Sequence, residues 1–140
     1  MALYKYINGK LVKIAGNYSK LPKEILRYPV KTYVSSDGNT WFVKYNDNWK
    51  ECGGYIENSS SISNSGESSQ TITLPDDFAF SNTDYQILVS NTWVASGGVG
   101  IITTPYNSTS KTTTQFTIAR RNVSGGTVTK TACYWEAKGY

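Results

Sequence analysis

Histidine is absent from this sequence. Its absence excludes Ser-His-Asp and Cys-His catalysis and any His-ligated metal site. Cysteine is scarce: Cys52 and Cys133 are the only two, too few without histidine to close a Cys/His zinc site. One disulfide between them is allowed but not forced, and the pair reads better as small buried apolar residues. Charged residues make up 17% of the chain, below the roughly 25% of average soluble proteins. No run approaches the ~20 apolar residues of a membrane span. The N-terminus "MALYKYINGKLVKIAG" interleaves lysines with apolar residues and so lacks the uninterrupted apolar core of a secretory signal. The glycine-rich "SGGVG" lacks the Lys-Ser/Thr ending of a phosphate loop and no helix follows it. Neither a cofactor nor a metal is expected.

What remains is a chain of 140 residues, the length of one ordinary domain, rich in Ser, Thr, Asn and Gly. Its surface is polar through hydroxyls and amides more than through ions. Such a surface suits hydrogen bonding to neutral partners such as sugars, and equally an extracellular or virion protein that must stay soluble. Net charge is +4, but the lysines and arginines concentrate between Lys5 and Lys50 and are scattered among Tyr, Leu and Ile. The only adjacent basic pair is Arg120-Arg121. A groove that tracks a nucleic-acid backbone needs a tighter basic stripe, so no nucleic-acid partner is expected.

From Val30 onward, β-branched and aromatic residues alternate with polar ones in short runs separated by turn formers. "VKTYVSS" leads to Asp37-Gly38, a dipeptide favouring a tight hairpin turn. In "WFVKY", Trp41, Val43 and Tyr45 share one face; Asn46-Asp47-Asn48 then turns the chain back. "WKECGGYIE" puts Trp49, Glu51, Gly53 and Tyr55 on one face and Lys50, Cys52, Gly54 and Ile56 on the other. Residues 58–69, "NSSSISNSGESS", read as an exposed loop or weak polar edge. "QTITL", the Pro75-Asp76-Asp77 turn and "DYQILVS" follow, with Tyr85, Ile87 and Val89 on one face. "QFTIARR" and "TVTKTACYWEAKGY" look like a final hairpin across Ser124-Gly125-Gly126, with Cys133, Trp135 and Ala137 alternating with Tyr134, Glu136 and Lys138. "LPKEILRY", residues 21–28, is either a short helix starting at Pro22 or an extended linker. Many short strands at regular intervals imply an all-β fold, an antiparallel β-sandwich.

Carboxylates are the only acid/base option. Glu51 and Glu136 lie on strands, where pairing with Lys, Arg or backbone donors explains a glutamate more readily than glycosidase chemistry. Sugar recognition fits the residue types better. Exposed rings stack on the apolar face of a pyranose while amides and hydroxyls satisfy its hydroxyl groups. In the polar segment from Asn91 to Thr114, Trp93 and Tyr106 with Asn91 and Asn107 are the candidates. The alternative for Trp93 is a cap on the core at a strand end. Sequons at Asn17, Asn58, Asn107 and Asn122 carry little weight in so Ser/Thr/Asn-rich a chain.

"SSDGNTWFVKYNDNWKECGGYI" resembles a pattern in the C-terminal, receptor-binding domains of phage tail fibres: a turn, an aromatic strand, a second tight turn, then Trp-x-Glu-x-Gly-Gly. "SQTITLPDDFAFSNTDYQILVS" and the terminal "YWEAKGY" resemble later parts of that family in order, so the likeness spans Tyr33 to Tyr140. "YKYINGKLVKIAG" resembles the opening of various tail and fibre proteins, and Met1 suggests either an authentic start of a short fibre-like protein or an expressed tip fragment. The resemblance implies a jelly-roll-like knob over residues 31–140, homotrimeric, carried on a virion and recognising a host-surface glycan or protein. Residues 1–30 become an N-terminal segment for attachment to other virion proteins. Trp49, Gly53, Gly54 and Trp135 are then candidates for the threefold interface. Two glycines inside a strand mark either a bulge or a close approach by another backbone, which a packed trimer would supply. A structural trimerisation or decoration protein without its own receptor is the alternative, and a depolymerase using Glu51 or Glu136 a more distant one.

Overall fold

The short β-branched and aromatic runs form ten strands among the described residues, with hydrophobic side chains turned to one side. The computed structural model describes residues 3–7, 10–15, 27–95, 100–105 and 111–140, of which 3–7, 10–15 and 92–95 are described by their backbone alone. Strands β1 (Leu3–Ile7) and β2 (Lys10–Ala15) pair in a two-stranded sheet of their own. A five-stranded sheet contains β3 (Pro29–Val34), β4 (Thr40–Tyr45), β5 (Lys50–Asn58), β7 (Gln86–Ala95) and β10 (Lys130–Gly139) in the order β3-β4-β5-β10-β7. A three-stranded sheet contains β6 (Glu67–Thr73), β8 (Ile101–Pro105) and β9 (Gln115–Asn122) in the order β6-β9-β8. Every pairing is antiparallel.

The five- and three-stranded sheets form a sandwich. Phe42, Cys52, Cys133, Trp135 and Ala137 from the first meet Ile72, Phe116 and Ile118 from the second in one buried cluster. Trp135 packs edge-on against Phe116 with ring centroids 5.3 Å apart. Tyr85 stacks on Phe80 at 4.0 Å. Each large apolar side chain buried this way contributes about 1.5–3 kcal/mol. Alternation places Cys133, Trp135 and Ala137 inward, while Tyr134 and Glu136 remain exposed.

The Asn46–Asn48 turn forms where expected: the Tyr45 N–H donates to the Trp49 carbonyl at 2.8 Å, and Asn48 takes φ 65°. Asp37-Gly38 lies in a five-residue connection, residues 35–39, instead of a two-residue turn. Its carboxylate accepts hydrogen bonds from the Ser35 hydroxyl and from the Asn39 backbone and side-chain amides, and these hold its pKa below the ordinary aspartate value. Gly38, at φ +71°, supplies the left-handed step.

Two expectations change, and the reading of the cysteines as small buried residues holds. β9 and β10 are not a hairpin: β9 pairs with β6 and β8, while β10 pairs with β5 and β7, so residues 123–129 cross between sheets. Buried Asn122 organises this crossing, its side-chain amide donating to the carbonyls of Ile62 (2.8 Å) and Gly126 (2.7 Å). The polar run 58–69 is only partly an exposed loop. Ile62 is buried and exchanges backbone hydrogen bonds with Val128, and the two join Ile101 in a second small cluster. Both cysteines are free and buried. Cys52 stands opposite Ala137, four positions along β10 from Cys133 and so on the order of 13 Å away, beyond the reach of a disulfide. The helix-or-linker segment 21–28 lies outside the described residues up to position 26.

Candidate ligand groove on the outer sheet face

Antiparallel register determines which outward side chains stand together. Val34 pairs with Trp41, Trp41 with Gly53, Gly53 with Glu136 and Glu136 with Leu88. These five positions form one row across the five strands, on the face away from the core. Directly opposite positions have Cβ atoms about 4.5–5.5 Å apart. In the next row, Tyr55 pairs with Tyr134 and Tyr134 with Ser90.

Gly53 has no side chain, so the Trp41 indole lies across its backbone. A Cβ added there would sit 2.8 Å from Trp41 Cζ2 and 2.9 Å from the Trp135 carbonyl oxygen. Beside this, Tyr55 and Tyr134 pack with ring centroids 5.2 Å apart. The Tyr55 hydroxyl donates to Glu57 at 2.9 Å, and Glu57 pairs with Lys130 at 2.7 Å. The Lys130 ammonium and the Tyr55 hydroxyl together hold the Glu57 carboxyl below its usual range. Gly38 and Asn39 close one end of the resulting groove, about 680 Å³ in volume, which is also lined by Trp41, Gly54, Tyr55, Tyr134, Trp135 and Glu136. Such a volume falls in the range of small-molecule and sugar sites. The Glu136 carboxylate, exposed in this aromatic setting, has no hydrogen-bond or ion-pair partner among the described residues.

Glu51, one row away, is committed elsewhere. Its carboxylate accepts from the Trp49 indole N–H at 2.9 Å and the Tyr45 hydroxyl at 3.1 Å. With Glu136, Trp41 and Lys138 it borders a smaller cleft of about 170 Å³. Among the described residues no group of three or more metal-ligating side chains occurs.

The residues expected to make a threefold interface are occupied within the chain. Trp135 is 2% exposed and belongs to the core. A Cβ on Gly54 would lie 2.6 Å from the Asn39 carbonyl oxygen and 3.0 Å from the Trp135 indole nitrogen. Neither glycine marks a bulge, since β5 keeps unbroken register with both neighbours. The close approach they permit comes from this chain's own Trp41 and Asn39. Trp49 packs edge-on against Tyr140 at 5.1 Å and lies under the Arg27 guanidinium at 4.8 Å, with Arg27 also paired to Asp47 at 2.7 Å.

Of the expected ligand residues, Asn91 is engaged in linking the sheets. Its amide donates to the Ile101 carbonyl at 2.7 Å and accepts from the Thr103 hydroxyl. The backbone of Trp93 lies opposite Ala132; its side chain, and all of Tyr106 and Asn107, lie outside the described residues. The groove residues Asn39, Trp41, Tyr134 and Glu136 were not singled out from sequence as a ligand site. The available signal was the outward phase of Trp41, Tyr55 and Tyr134 in three separate strands.

No protein-family model matches the chain, and no curated protein matches it. Solved structures do. The chain is similar to a C-terminal portion of the R1 pyocin fibre of P. aeruginosa (TM-score 0.54, 16% identity), covering 80% of this chain and 29% of that one. It is also similar to an N-truncated R1-type pyocin tail fibre (TM-score 0.57, 16% identity), covering 91% of this chain and 99% of that one. The fold is therefore that of tail-fibre fragments.

Proposed function

We propose that this chain is the tip domain of a phage-tail-like fibre, that it works as a homotrimer on the particle, and that it binds a glycan of the host surface without cleaving it. The observation that carries the reading is the groove of Trp41, Tyr55, Tyr134, Asn39 and Glu136, on a fold similar to that of tail-fibre fragments. Trp41 and Tyr134 offer ring faces to the apolar side of a sugar, while Glu136 and Asn39 offer hydrogen-bonding groups to its hydroxyls. A single open groove of this kind binds weakly. Three copies on one particle compensate, because each bound site raises the effective concentration of ligand at the others.

Trimer contact falls most naturally on β3, an edge strand whose six residues, Val30, Tyr33 and Val34 among them, are all exposed. Long apolar edges are ordinarily covered. The same edge favours the second reading, a trimerising or decorating component with no receptor of its own. Trp41→Ala and Tyr134→Ala separate the two: adsorption to host cells should fall at least tenfold if the groove binds, and stay unchanged if the domain only assembles. Light scattering should give three times the chain mass. Incubation with host polysaccharide should release no reducing ends.

A further inference from the structure

We infer that the groove selects a sugar bearing a free, positively charged amine, an inference that rests on the glycan-binding reading above. The argument begins with charge. The eight residues lining the groove include one acid, Glu136, and no lysine or arginine. Asp37, beside Gly38 and Asn39 at the groove's end, adds a second carboxylate, committed to the turn through Ser35 and Asn39. Lys138, the cation two residues along the strand from Glu136, stands one row away opposite Glu51; it shares the smaller cleft with Glu51 and Glu136 but does not line the groove. Glu57, two residues beyond Tyr55 on the same face and opposite Ala132, is neutralised by Lys130. The chain as a whole carries +4, so the groove's sign is opposite to that of the molecule and belongs to the site.

Glu136 differs from the other acids on this face. Glu51 is held by Trp49 and Tyr45, and Glu57 by Tyr55 and Lys130. Among the described residues nothing engages the Glu136 carboxylate, which stands between Gly53 and Leu88, with Trp41 over one side and Tyr134 two residues away on the same strand. An ammonium group fits this setting in two ways. It pairs with the carboxylate, and it is attracted to the faces of the flanking rings. Sugars carrying carboxylates, sulfates or phosphates meet the same carboxylate as repulsion with no base among the groove-lining residues to offset it, so the site discriminates against them as well as favouring amines.

The test uses two oligosaccharides with the same β1,4-linked backbone: a glucosamine hexamer with free amines and its fully N-acetylated counterpart. Both are titrated calorimetrically into the intact protein below about pH 6, where the amine is charged. The amine form should bind roughly tenfold tighter or more, the gain expected of a charge-assisted contact. Glu136→Gln, exposed and nearly isosteric, should shrink that ratio to within about twofold while leaving the melting temperature unchanged. Equal or tighter binding of the N-acetylated form overturns the amine preference and leaves glycan recognition standing. A preference that survives in Glu136→Gln also overturns it. If neither oligomer binds but Trp41→Ala still abolishes adsorption to cells, the amine inference falls and the groove reading survives. If neither oligomer binds and Trp41→Ala adsorbs normally, both fall.

Discussion

Gly54→Ala should destabilise the fold through a contact inside one chain, without altering the number of chains in the assembly. The added methyl would sit 2.6 Å from the Asn39 carbonyl oxygen, 3.0 Å from Trp135 Nε1 and 3.1 Å from Thr40 Oγ1. Carbon and oxygen ordinarily approach no closer than about 3.3 Å, so the 35–39 connection must move by roughly 0.7 Å. That carbonyl already accepts the Tyr55 N–H at 2.8 Å, and the movement stretches this bond. Overpacking of this sort costs about 1–3 kcal/mol, and a weakened backbone hydrogen bond adds about 0.5–1.5 kcal/mol. Together they should lower the melting temperature by on the order of 10 °C in a domain of this size. Gly38→Ala is the control: nothing lies within 4 Å of its added Cβ, but φ is +71°, so only about 1–2 kcal/mol of backbone strain applies. Thermal melts followed by circular dichroism, with urea titrations, measure both variants, and light scattering gives their mass. If Gly54→Ala melts within 2 °C of the parent while its mass falls, the glycine serves a contact between copies and the intrachain explanation is wrong.

Three further outcomes follow from the interior and the surface. Cys52, whose thiol pKa burial pushes up to about 12, and Cys133, also raised by burial, should resist Ellman's reagent in the folded protein and both react in denaturant. Reaction of either at native pH within minutes would contradict their burial. Asp37, Asp77 and Glu57 are held below their ordinary carboxyl pKa values of 3.8, 3.8 and 4.5 by hydrogen bonds from Ser35, Lys31 and Lys130 respectively. Their folded pKa values lie below the unfolded ones, so their stabilisation is complete above the unfolded values and is lost as pH falls through the folded ones. The melting temperature should stay level down to about pH 5 and decline below it, with a shallower decline in Asp37→Asn. Arg120 is fully buried, donates to Cys133 Sγ at 3.3 Å, and leaves Nε and Nη1 without partners among the described residues. Because an uncompensated buried charge is expensive, Arg120→Met should be neutral or stabilising by about 1–4 kcal/mol; a clear loss of stability would show that this cation has a partner.

The distance between what sequence reveals and what it hides is set by register. Alternation alone puts Trp41 and Tyr45 on one side of β4, sorts Tyr134 and Glu136 from Cys133 and Trp135 in β10, and makes a sandwich the natural outcome. Alternation is a property of one strand, whereas a site on a sheet belongs to several. Trp41, Glu136 and Leu88 meet only because β4, β5, β10 and β7 are adjacent in that register, and β5 and β10 are about 80 residues apart in the chain. The supposed β9–β10 hairpin failed for the same reason: local turn signals at 124–126 were present, but burial of Phe116 and Ile118 on β9 and of Cys133 and Trp135 on β10 is satisfied by facing each other across the sandwich, not by lying side by side. Gly53-Gly54 was legible as a place of close approach, and only the fold identifies the approaching groups as Trp41 and Asn39. A slip of one residue between β5 and β10 would turn Glu136 toward the core and Trp135 toward solvent. The buried Trp135 therefore protects the groove, since every arrangement that exposes Glu136 between the aromatic rings is one that keeps the indole inside.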